Sequence, residues 1–221
     1  MNSDLEEMPL FPLNAVLLPY QTLPLHVFED RYREMIGECL SSGRDFGVVL
    51  IREGDEVGGD AEPYLVGTSA RVVEHKPLSD GRIDLLAVGE RRFRVRKIDR
   101  SRPFLVGYVE PIVELEWSDS GQNHGLLLRA KEAFEHHLRN IFGRQDVNIT
   151  IQFPDDPVAL SFAIAGFVNL PAIAKQRLLE LTDTSTRLSE LIPVLESQFL
   201  EANATGFVSV VEEFSDFISN N

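Results

Sequence analysis

The sequence predicts an α+β protein in which a β-rich part comes first and a helical part second. Three observations carry that reading. From Met8 to about Trp117, short apolar runs rich in β-branched residues alternate with proline and glycine punctuation. A polar stretch containing glycine, Glu116–Gly125, follows as a junction. Beyond it the apolar residues recur at helical spacing. A boundary at the junction gives domains of 1–119 and 120–221.

Residues 8–28 read as short strands, because Pro12, Pro19 and Pro24 forbid a helix and suit edges or turns. Glu29–Leu40 then places Tyr32, Met35, Ile36, Cys39 and Leu40 on one face of a helix, which Ser41-Ser42-Gly43 ends. Phe46–Ile51 is a compact strand, and Glu53–Glu62 is an acidic, glycine-rich loop. Leu65–His75 and Ile83–Val88 form two strands joined by a turn at Ser79-Asp80-Gly81. Arg92–Ile98 and Phe104–Leu115 supply two more.

In the helical part, Leu126, Leu127, Ala130, Ala133, Phe134, His137, Leu138 and Ile141 form one apolar stripe. Asp156-Pro157 starts a second helix, with Asp as N-cap and Pro at the first position, running to about Val168. Pro171 opens a third, which ends near Leu181. Asp183 or Thr184 caps a fourth, in which Pro193 predicts a kink or break. Phe207, Val210, Val211, Phe214, Phe217 and Ile218 mark a last amphipathic helix.

A net charge of −14 over 221 residues disfavours phosphate backbones and anionic lipid as partners. The acidity is spread evenly: 14 basic and 22 acidic residues through position 119, then 7 and 13. Cys39 is the single cysteine, so no internal disulfide forms. The opening residues are acidic and proline-interrupted, unlike a secretory signal, and no apolar run reaches the roughly 20 residues of a membrane helix. These features lead to the expectation of a cytoplasmic protein with no membrane partner.

The run Met8-Pro-Leu-Phe-Pro-Leu through Pro24-Leu-His-Val-Phe-Glu-Asp-Arg-Tyr-Arg33 resembles the opening of the Lon protease N-terminal domain. Phe46-Gly-Val-Val-Leu-Ile51, Tyr64-Leu-Val-Gly-Thr68 and Asp84-Leu-Leu-Ala-Val-Gly-Glu-Arg-Arg-Phe-Arg-Val95 resemble its successive strands. Asp156-Pro157, Leu160 with Ala163, Lys175-Gln-Arg-Leu-Leu-Glu180 and Thr186-Arg-Leu188 resemble its helical half. The resemblance covers Met8 to about Phe199 and implies a PUA-like β-barrel with one helix, followed by a C-terminal α-helical bundle. The β-half is also similar to the Lon-like domain of cereblon. A stand-alone bacterial substrate-binding protein is the expectation, because no G-x-x-x-x-G-K-[ST] loop is present and no length remains for ATPase or peptidase modules.

The candidate chemistry is sparse, and the expectation is that the chain is not an enzyme. His136 and His137 are adjacent, so on a helix they point about 100° apart and cannot easily share an ion. His137 belongs to the apolar stripe. Asp155-Asp156 reads as a cap and Cys39 as inert packing on an apolar face. No metal and no cofactor is implied.

Two surfaces remain. The loop Leu18-Pro-Tyr-Gln-Thr-Leu-Pro24 offers Tyr20, Leu23 and Pro24 as a peptide-binding site, since flanking prolines present apolar groups at low entropy cost. On the strand around residue 93, Arg92, Arg94 and Arg96 share the face opposite Phe93 and Val95, the basis for an alternative RNA-binding reading. The net charge and the lack of outward aromatics weigh against RNA. Non-catalytic binding of unfolded polypeptides, or of a protein partner, is the expected function; the oligomeric state is open.

Overall fold

Two prolines sit inside the first strand, β1 (Glu6–Leu13), and the pairing explains why they are tolerated. Glu6–Leu10 pairs antiparallel with β6 (Leu105–Pro111), whereas Leu10–Leu13 pairs parallel with β3 (Phe46–Glu53). Pro9 and Pro12 therefore each meet one neighbouring strand, so each behaves as an edge position. The computed structural model describes residues 5–58, 61–118, 120–142 and 152–205. The apolar stripe from Phe207 to Ile218 lies outside them.

The strands close on themselves. β3 pairs with β4 (Glu62–Pro77), β4 with β5 (Ile83–Asp99), β5 with β6 and β6 with β1. The result is a five-stranded ring, with β2 (Thr22–Val27) added to the first half of β5. One strand replaces the two expected at 83–88 and 92–98. Gly89 lets it run through, because a Cβ there would strike the Leu18 carbonyl oxygen. A bulge follows: Ala70 faces Gly89 while Thr68 faces Arg92, so β5 carries one extra residue at Glu90-Arg91. β6 stops at Pro111, short of the expected Leu115.

Helix α1 (Asp30–Ser42) buries Tyr32, Met35, Ile36 and Cys39, the face read from periodicity, and ends at Gly43 in the left-handed region (φ 64°). It covers one core with Phe11, Phe46 and Phe104, where Phe11 and Tyr32 stack at 4.1 Å. A second core of Met8, Leu10, Val49, Phe93, Val95 and Val109 packs together from β1, β3, β5 and β6.

Four helices follow: α2 (Gly121–Phe142), α3 (Pro157–Phe167), α4 (Ala172–Glu180) and α5 (Thr184–Thr205). Asp156 caps α3 by accepting from Ala159 N (3.0 Å) and Val158 N (3.4 Å). Asp183 caps α5 through the backbone N–H groups of Ser185 and Thr186. Pro193 does not break α5, which continues to Thr205. Within α2, Ala130, Phe134, His137 and Leu138 are buried, the stripe expected from spacing.

The compact units do not follow the division at 119/120. One unit holds Met1–Ser118 together with Pro154–Arg187, and the other holds Asp119–Phe153 with Leu188–Asn221. The strands thus share a unit with α3, α4 and the first turn of α5. The physical cause is a set of buried polar links described next.

Candidate functional site

Arg92 does not stand on a solvated strand face. It shares the outward side of β5 with Arg94 and Arg96, as alternation requires, but α3 and α4 cover that side at its position. Only 4% of it is exposed. Its Nη1 donates to the carbonyls of Leu179 (2.5 Å) and Leu181 (2.6 Å), the last turn of α4, and its Nη2 donates to Glu114. Arg187 is fully buried and donates to Ser161 Oγ, Leu181 O, Thr184 Oγ1 and Glu114 Oε1. Of the three arginines named from sequence, Arg94 is half-buried, and Arg96 is exposed and paired with Glu110. The basic strip therefore presents fewer cations than the sequence suggests.

The proline-bounded loop divides its residues between surface and core. Tyr20 is 60% exposed, and Pro24 is exposed. Leu23 is half-buried, sits opposite Ala87 and packs against the α1 core, so it is a framework residue. Tyr20 has φ 69°, the one non-glycine among the described residues at positive φ. The loop is fastened on all sides. Tyr20 N donates to Gly89 O (2.8 Å), Gly89 N to Gln21 O (2.9 Å), Leu18 N to Gln21 Oε1 (3.1 Å), and Thr68 Oγ1 to Leu17 O (2.6 Å). Partial burial, with Asp156, Glu114 and Glu90 nearby, holds the Tyr20 phenol above its ordinary value. The loop thus presents one exposed aromatic ring on a fastened backbone.

A second feature was not read from the sequence. An open groove of about 390 Å³ runs between Tyr64 of β4 and Ile173, Ala174, Gln176, Arg177 and Glu180 of α4. Its lining is mostly apolar, with Ile173 56% exposed on the rim. Gln176 lies at its base, 2% exposed, and donates to Val66 O and Glu180 Oε1. Arg187 could have been found earlier, since it falls with Leu191 and Leu195 at i+4 and i+8 on the buried side of α5.

The remaining candidates play structural parts. Burial pushes the Cys39 thiol up to about 11, which keeps it protonated. His137 is buried in α2 and held below the ordinary histidine value by desolvation. Asp156 is occupied as a cap. No group of three or more His, Cys, Asp or Glu among the described residues is placed to hold a metal ion. No helix among them is long and apolar enough to cross a membrane.

Comparison with known proteins agrees with this architecture. The family model of the ATP-dependent protease La (LON) substrate-binding domain matches residues 7–197. The Lon protease of Desulfovibrio desulfuricans is 29% identical over 192 residues, covering 85% of this chain and 22% of that protein. The Lon protease of Escherichia coli K12 is 27% identical over 199 residues, covering 87% and 25%. The chain thus spans about a quarter of the length of the curated relatives it matches. Among solved structures, the Lon N-terminal domain protein from Xanthomonas campestris superposes with a TM-score of 0.63 at 31% identity, covering 85% of this chain and 98% of that one. The N-terminal domain of a Mycobacterium avium complex Lon protease shares the fold, with a TM-score of 0.66 at 21% identity, covering 86% and 98%. With a family model matched over most of its length and a ring of strands and helices to fit, the chain belongs to the Lon substrate-binding domain family.

Proposed function

We propose that this chain is a non-catalytic module that binds unfolded polypeptide, with the Tyr20 loop as a contact surface. The family match to a substrate-binding domain supports the reading. The observation that carries it is the Tyr20 backbone. A tyrosine held at positive φ sits in a conformation disfavoured for any side chain, and the loop's hydrogen bonds fasten it there with its ring in solvent. A fold that needed only the turn would do better with glycine. An exposed aromatic ring with only two side-chain torsions, carried on a fastened backbone, offers a flexible chain a large apolar contact at modest entropy cost.

The test is binding of labelled, reduced and carboxymethylated α-lactalbumin, a permanently unfolded chain, to wild type and to Tyr20→Ser. Leu23 stays untouched because it packs on the core. Affinity should fall about tenfold in the variant, with an unchanged melting temperature. Equal affinities would remove the loop from the binding surface. Salt separates polypeptide from RNA: apolar contacts persist at moderate ionic strength, whereas phosphate contacts weaken steeply. Arg94→Glu with Arg96→Glu should therefore leave polypeptide binding unchanged.

A further inference from the structure

We draw no further inference here: the strongest candidate, the exposed apolar face of the extended segment between β6 and α2, where Val113 and Leu115 stand in solvent on either side of the Glu114 that bonds Arg92 and Arg187, carries nothing because nothing in the structure shows what covers it.

Discussion

Arg92 of β5 and Arg187 of α5 donate to the same oxygen, Oε1 of Glu114. Both guanidiniums also lie over the Phe162 ring, at 5.2 Å and 4.0 Å from its centroid. Burial lowers the pKa of each, that of Arg92 to about 10, and Glu114 works against the shift. Two cations on one anion leave a surplus positive charge. The carbonyls of Leu179 and Leu181, at the negative end of α4, meet it. This arrangement ties the ring of strands to α3, α4 and the start of α5.

Glu114→Gln should accordingly destabilise the protein by about 3 kcal/mol, because both guanidiniums stay buried without their anion. Urea denaturation would register this as a lower midpoint. Arg96→Gln, at an exposed ion pair, serves as the control and should show no measurable change. A Glu114→Gln midpoint equal to wild type would disprove the role of the shared carboxylate.

At position 20, stability and binding should move in opposite directions. Tyr20→Gly relieves the left-handed backbone and should stabilise the fold by about 1 kcal/mol. The same change removes the exposed ring and should weaken capture of carboxymethylated α-lactalbumin. Thermal unfolding and anisotropy on one preparation test both halves. A variant that loses stability would show that the ring packs on the protein instead of presenting itself.

His137 gives the second unit a dependence on pH. Desolvation holds its folded-state pKa below the ordinary 6.5, so the unfolded chain binds the proton more readily. The stabilisation is complete above the unfolded value and is lost as pH falls through the folded one. His137→Leu should remove that loss: between about pH 7.5 and 5, its melting temperature should decline less than that of wild type. Parallel declines would assign the acid sensitivity elsewhere.

Cys39 should resist thiol reagents while the protein is folded. With a pKa near 11, roughly one molecule in ten thousand carries the thiolate at neutral pH, and the side chain is buried. Iodoacetamide should label it quickly in denaturant and very slowly without. Fast native labelling would mean that α1 opens from the strands.

Much of this architecture could be read from local signals. Prolines placed the strands, Asp156-Pro157 opened α3 where spacing said it would, and Gly43 ended α1. The face of β5 was also read correctly: Phe93 and Val95 point inward, with Arg92 on the other side. What alternation cannot say is whether an outward face meets water or another element. Arg92 is covered by helices lying some ninety residues further along the chain, so its burial is a tertiary fact. For the same reason Tyr20 and Leu23 looked equivalent in sequence, yet one faces solvent and the other packs against the α1 core. The groove beside Gln176 joins β4 to a helix some 110 residues further along the chain, so no local signal marks it.

The first unit is discontinuous: its strands come from the N-terminal part and its covering helices from Pro154–Arg187, with α2 in between. On a ribosome this sets an order of events. β1 waits for β6 before the ring can close, and Arg92 waits for α4 before its Nη1 finds the Leu179 and Leu181 carbonyls. Until those helices emerge, a cation bound for the interior stands exposed without its partners. Nascent chains of this protein should therefore be clients of general chaperones over that interval, and a fragment ending at residue 118 should remain one.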